Sequence, residues 1–205
     1  IGKKVILSNY KPIRRRGETA HFQKFFEIQG YQVYNPPKNL FFEGAGDAIL
    51  YKDKIICGYG FRTSRKTLDY IEKVMEREVV PIGLVPQDAG RKNFYHFDTT
   101  TIVLEEKETF ITYPLAFDGE SLRRLEKLGS IEIASYKDAA NLALNAVVIP
   151  REEINIPNGL KNGFAEYVNF FLINNQDYRG AVITSSLVSA KLQSQIIRAK
   201  YMPVL

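Results

Sequence analysis

One order of segments recurs along this chain and limits what it can fold into: an alternating hairpin, an amphipathic helix, then an apolar strand. "AILYKDKIICGYG" (48–60) reads as two strands around a Lys-Asp-Lys turn. "SRKTLDYIEKVMER" follows as a helix, with Ser64 placed to cap its start and Leu68, Ile71 and Met75 on one face. The apolar run "EVVPIGLV" closes the unit. The same order returns in "TTIVLEEKETFITYP", "GESLRRLEKLG" and "SIEIAS". The two helices begin about 55 residues apart, a period at which repeats define an architecture. Upstream, "KKVILS", "GETAHFQKFFEIQG" and "YQVYNP" supply the same unit without its opening strand, and downstream "NAVVIPREEINIPNGL" offers a further hairpin. The expectation is an α/β fold of tandem ββαβ units. From Leu160 the pattern loosens, and a helix near 160–172, a turn at 174–180, a strand at 181–184 and a helix at 187–200 are expected.

No Gly/Ser/Pro tract interrupts this array, so a single domain over residues 1–205 is expected, long enough to bury a sizeable core. The net charge of +5 is mild, and Arg14-Arg15-Arg16 and Arg123-Arg124 lie apart without interleaved aromatics. Nucleic acid is therefore not an expected partner. No apolar run approaches membrane-spanning length, so no membrane partner is expected either. Cys57 is the one cysteine; it excludes an intramolecular disulfide and fits a reducing compartment, with the cytoplasm as the expected location. Two distant histidines and one cysteine give no metal-ligand spacing, and P-loop and GxGxxG patterns are absent, so no metal or cofactor is expected.

Candidate chemistry sits in four stretches. "FFEGAGDAILY" places Glu43 and Asp47 around glycines just before a strand, where the backbone can approach a ligand closely; a polar approach to a hairpin has the same look. "GFRTS" puts Arg62 at the end of the next strand, either as a fork for a carboxylate or as a surface arginine. In "FYHFDTTTIVL", His96 is either a proton carrier or a polar residue closing a turn with Asp98. In "RRRGE", Arg16 and Glu18 open a helix, Glu18 suiting its first turn, while His21 falls on the outer face of that helix. Cys57, inside "KIICGYG", reads as a buried, inert thiol.

Together these stretches resemble the guanidino-group-modifying, or pentein, superfamily, most of all its bacterial dimethylarginine dimethylaminohydrolase and amidinotransferase members. "SNYKPIRRRGE", "FFEGAGDAILYKDKIICGYGFRTS", "REVVPIGLV", "FYHFDTTTIVL" and "ALNAVVI" occur in the family's order and spacing, across residues 5–157. The resemblance implies a five-bladed α/β-propeller around a central pocket. It also implies a hydrolase in which a cysteine thiolate attacks the guanidinium carbon and water then hydrolyses the covalent amidino-thioether. Carried over by residue, His96 is the general acid and base and Glu43 the carboxylate that binds the guanidinium. Asp47 and Asp98 become supporting carboxylates, and Arg62, then Arg16, hold the substrate's α-carboxylate. The implied ligand is a small guanidino or ureido amino acid.

Two departures bear on activity. The chain starts within a repeat, so an N-terminally truncated propeller is expected, open or completed by another chain, as a homo-oligomer or with a complementary partner. The family's GG-x-x-C pattern is missing; its best match, "YRGAVITSSL", puts Thr184 or Ser185 at the nucleophile position, in a divergent tail over 158–205. The expectation is a family member inactive on its own, or a silent pentein that only binds ligand or protein.

Overall fold

The computed structural model describes residues 1–150, 180–184, 188–199 and 201–204. Among these the repeat is real: three-stranded sheets recur, each an antiparallel hairpin with a third strand parallel to the hairpin's second. A helix between the second and third strands dictates that pairing, because only a crossover can return the chain for a parallel strand. The chain divides into two compact units, Ile1–Asp98 with Leu115–Lys127, and Thr99–Pro114 with Leu128–Leu205.

In the first unit, β1 (Lys4–Ile6) and β2 (Gln32–Tyr34) form a parallel pair around helix α1 (Glu18–Ile28). No residue of α1 is buried, and Phe22, Phe25 and Ile28 are exposed, as is His21. Next come β3 (Ala48–Tyr51), β4 (Lys54–Tyr59), helix α2 (Thr67–Met75) and β5 (Val79–Gly83), in sheet order β3-β4-β5. Leu68 and Ile71 of α2 are buried in one cluster with Ile6, Phe42, Ile55 and Cys57. Burying each such aliphatic side chain stabilises the unit by about 1.5–3 kcal/mol. Pro81 lies on β5, an edge strand, where its missing N–H costs no ladder bond. Ser64 does not cap α2: the helix starts at Thr67 after Lys66, without a side-chain cap. Ser64 instead donates its N–H to the Phe41 carbonyl, and its own carbonyl accepts from Thr67. Helix α3 (Gly119–Leu128), all but its last residue, also belongs to this unit; Ser121 Oγ accepts the Gly83 N–H at 2.7 Å.

The second unit holds β6 (Thr101–Leu104), β7 (Thr109–Thr112) and β8 (Ser130–Ile133), in order β6-β7-β8. Thr101 and Thr112 face each other across the first pair, buried, and their hydroxyls satisfy one another at 2.7 Å. After the short helix α4 (Tyr136–Ala140) come β9 (Val147–Pro150), β10 (Gly180–Ile183), helix α5 (Ala190–Arg198) and β11 (Tyr201–Val204). Their sheet order, β11-β10-β9, corrects the sequence reading of a tail that loses the pattern. The hairpin–helix–strand order persists; its two hairpin strands are simply separated by residues 151–179. The helix expected near 160–172 and most of the turn expected at 174–180 lie outside the described residues. Asp138, buried, accepts from Ser135 Oγ at 2.6 Å, from the Ser189 N–H at 2.8 Å and from Ser189 Oγ at 2.9 Å. Ser135 and Ser189 are the N-caps of α4 and α5, so one carboxylate fixes both helix starts.

Candidate active site

The first unit brings Glu43, Asp47, Arg62 and His96 together, and each arrives through a local device. An isolated bridge joins Asn9 to Phe42 by two backbone hydrogen bonds of 2.9 and 3.1 Å. It lays the Tyr10–Lys11 loop beside Glu43, whose Oε1 accepts the Lys11 N–H at 3.3 Å. Asn9 also donates its side-chain amide to the Leu40 carbonyl at 2.9 Å, closing the loop that leads in. The 3-10 turn Gly44–Gly46 then reverses the chain into β3, with Gly44 at φ 72°, a conformation that favours glycine. A Cβ on Gly46 would stand 3.2 Å from the His96 ring, so the imidazole rests directly on this turn.

The Glu43 side chain is fully buried, and Arg62 Nη1 donates to its Oε2 at 2.8 Å. The same oxygen lies 3.5 Å from His96 Nε2 and 3.9 Å from Arg15 Nη1. On the other side of the ring, His96 Nδ1 lies 3.2 Å from Asp47 Oδ1. The imidazole is thus held between two carboxylates, and the partner of one nitrogen decides what the other can do. Asp47, buried, accepts from Thr63 Oγ1 at 2.6 Å and from the Phe97 N–H at 3.2 Å. A carboxylate only accepts, so the Thr63 proton points to Asp47 and its lone pair is left for the Glu43 N–H, 3.4 Å away. Thr63 therefore couples the Asp47 carboxylate to the Glu43 backbone. Asp98 is half-buried in the 3-10 turn Phe97–Thr99 that follows His96.

Of the three consecutive arginines, the structure turns Arg15 rather than Arg16 toward Glu43. Arg15 stacks on the Tyr10 ring, 4.2 Å from its centroid, and donates twice to Glu18 at 2.9 Å. That pairing with Glu18 pushes the Arg15 pKa up, and the same pairing holds the Glu18 carboxyl below its usual range. Arg16 donates to the Tyr10 carbonyl at 3.0 Å and holds the loop. Asn9, Thr63, Arg15 and Tyr95, whose ring lies under the Arg62 guanidinium at 4.7 Å, escaped the sequence reading. Thr63 had one visible signal, its place beside Arg62, and Arg15 had its three-residue spacing to Glu18.

Cys57 is 0% exposed in β4. Burial, then the nearby Asp47 charge, pushes its thiol well above the usual range. Thr184 belongs to the second unit, half-buried, and donates its hydroxyl to the Ala143 carbonyl. Ser185 lies outside the described residues. Among the described residues, no group of three or more His, Cys, Asp and Glu side chains could hold a metal ion, and no helix is long and apolar enough to cross a membrane.

Gly58 makes the site's packing testable. A Cβ there would stand 2.8 Å from Phe97 Cβ and 3.2 Å from Asp47 Oδ1. Gly58→Ala must displace the segment that carries His96, so we expect urea unfolding to show a loss of about 2 kcal/mol.

Fold and site together define a mixed α/β protein of hairpin–helix–strand units, with an imidazole set between two buried carboxylates and an arginine beside them. A scan against protein-family models found no match. The bifunctional arginine dihydrolase/ornithine cyclodeaminase AgrE of Nostoc sp. strain PCC 7120 is 37% identical over 152 residues, covering 72% of this chain and 21% of that protein. The dimethylarginine dimethylaminohydrolase of Mycobacterium tuberculosis is 31% identical over 145 residues, covering 69% of this chain and 45% of the relative. Among solved structures, the product-bound N-terminal domain of the arginine dihydrolase ArgZ superposes with a TM-score of 0.77 at 31% identity, over all of this chain and 63% of that one. A variant of AgrE has been solved with L-arginine. This chain belongs to the guanidino-group-modifying, or pentein, superfamily. It spans about a fifth (21%) of the length of the cyanobacterial bifunctional relative.

Proposed function

We propose that this chain seats the guanidinium of an arginine-like amino acid on Glu43 and moves protons through His96, as part of a hydrolase of guanidino C–N bonds. The observation that carries the reading is Glu43 itself. A fully buried carboxylate needs a cationic partner, and this one has guanidinium groups and an imidazole ranged around a single oxygen. His96, 3.5 Å away, stands within reach of a proton on a nitrogen seated there, and Asp47 holds its ring in place. Arg62 answers the ligand's α-carboxylate, with Arg15 in support and Arg16 holding the loop behind it; Asp98 fixes the turn after His96. We read the repeated sheets as blades of an α/β-propeller forming a single domain over 1–205. The recurring strand order and the TM-score of 0.77 support this.

Hydrolysis by the family's covalent route needs a thiolate, and the chain's one cysteine is buried in β4. We therefore read the chain as a binding and proton-transfer site without turnover of its own. The second reading, a pentein that only binds, draws on the same observation. Binding is the common ground. NMR titration of the wild type with L-arginine should show millimolar affinity, on the order of 4 kcal/mol. Glu43→Gln should abolish the response, because the amide removes the charge the guanidinium answers. No response from the wild type at saturating millimolar ligand, or an equal response from the variant, ends the reading.

A further inference from the structure

The cation on Glu43 belongs to the protein itself. Arg62 Nη1 sits 2.8 Å from Oε2, while Oε1 accepts the Lys11 N–H at 3.3 Å. Arg62 thus places a guanidinium on the very carboxylate that the proposed function gives to the substrate. We infer that Arg62 is an internal occupant of the guanidinium seat, and that a ligand takes the seat only by offering Arg62 a carboxylate in exchange. The inference rests on the reading of Glu43 as that seat.

Like charges exclude one another on one oxygen. Oε2 already has the Arg62 guanidinium at 2.8 Å and the Arg15 guanidinium at 3.9 Å, with the His96 ring at 3.5 Å, so an arriving guanidinium must displace a cation rather than join them. Arg62 is the one able to leave. Its side chain is 26% exposed, against 0% for Glu43. Its guanidinium lies over the exposed Tyr95 ring at 4.7 Å, a surface along which a planar cation slides without losing contact. Arg15 is held by two bonds to Glu18 and stays.

On Glu43 the exchange is one guanidinium for another, with no net gain. What Arg62 meets on leaving then decides the outcome. A ligand with an α-carboxylate gives it a new charged partner. A ligand without one leaves it to water. The contact therefore selects guanidino amino acids against decarboxylated guanidines, which bind the same carboxylate but offer Arg62 nothing.

The test compares L-arginine with n-propylguanidine, by NMR titration and thermal unfolding, on wild type and Arg62→Gln. Wild type should prefer L-arginine by about tenfold or more. In Arg62→Gln the preference should vanish: n-propylguanidine tightens about tenfold and raises Tm more than in wild type, while L-arginine, which gains the vacant seat but loses the partner of its carboxylate, stays near its wild-type affinity. If Arg62→Gln does not fold, Arg62→Lys, whose point charge is a poorer match for the seat, should still tighten n-propylguanidine. Equal or weaker n-propylguanidine binding in the folded variant overturns the inference, while L-arginine binding by wild type leaves the reading of Glu43 standing. If neither protein binds either ligand, that reading fails, and the inference with it.

Discussion

Purified alone, this chain should release no citrulline or ornithine from L-arginine or methylated arginines above background. A guanidinium carbon is resonance-stabilised, and attack on it at neutral pH calls for a nucleophile such as a thiolate. Cys57 is not one. It is 0% exposed, packs with Ile6, Phe42, Ile55, Leu68 and Ile71, and its thiol is pushed up by burial and by Asp47. Its Sγ donates to the Gly58 carbonyl at 3.7 Å, which leaves it a neutral thiol inside a sheet. Thr184 offers an alcohol already committed to the Ala143 carbonyl, and an alcohol reacts only with a base in attendance. Two measurements check the expectation. A coupled product assay should stay at background, and a haloacetamidine probe should label Cys57 only after denaturant unfolds the chain. Turnover by wild type that disappears in His96→Ala would overturn it and demand a nucleophile other than these.

The sheets were legible wherever the signal was local. Alternation around Lys52-Asp53-Lys54 marks β3 and β4, and the spacing of Leu68, Ile71 and Met75 marks α2, because a strand or helix period is written in adjacent residues. The last sheet was not legible as a unit. β9 and β10 pair across residues 151–179, and no local period announces a partner so far along the chain. Ser64 failed as a cap for a tertiary reason: the Phe41 carbonyl takes both its N–H and the Thr67 hydroxyl, which sets the helix start at Thr67, two residues later than such a cap would put it. In the site, Glu43 and His96 occupy corresponding strand approaches in successive repeats, so their meeting follows from the period. Which of Arg14, Arg15 and Arg16 faces Glu43 does not. It is set by the 3-10 turn Ile13–Arg15 and the Tyr10 ring, features of through-space packing rather than of sequence spacing.

Asp47→Ala should destabilise the protein by about 4 kcal/mol, because two buried donors share this carboxylate and the His96 ring rests against it. Oδ2 takes the Thr63 hydroxyl at 2.6 Å; Oδ1 takes the Phe97 N–H at 3.2 Å and lies 3.2 Å from His96 Nδ1. Alanine removes the acceptor from Thr63 and Phe97, and the carboxylate beside His96, at a position that is 0% exposed, where water does not readily replace it. The backbone adds to the linkage: the Asp47 N–H donates to the Gly44 carbonyl at 3.0 Å and its carbonyl accepts the Gly58 N–H at 2.8 Å. One residue therefore joins the Glu43 turn, the end of β4 and the His96 segment. Asp47→Asn keeps one acceptor oxygen but must aim an NH₂ at a donor on the other side, so it should cost about half as much, roughly 2 kcal/mol. Urea unfolding at neutral pH orders the variants as wild type, Asn, Ala. L-arginine binding, measured where each variant is still folded, should fall in the same order, since the carboxylate that stabilises the unit also orients the imidazole. A wild-type midpoint in Asp47→Ala would show that Thr63, Phe97 and His96 hold their places without it. The stability and the site would then be separate properties of this fold rather than one.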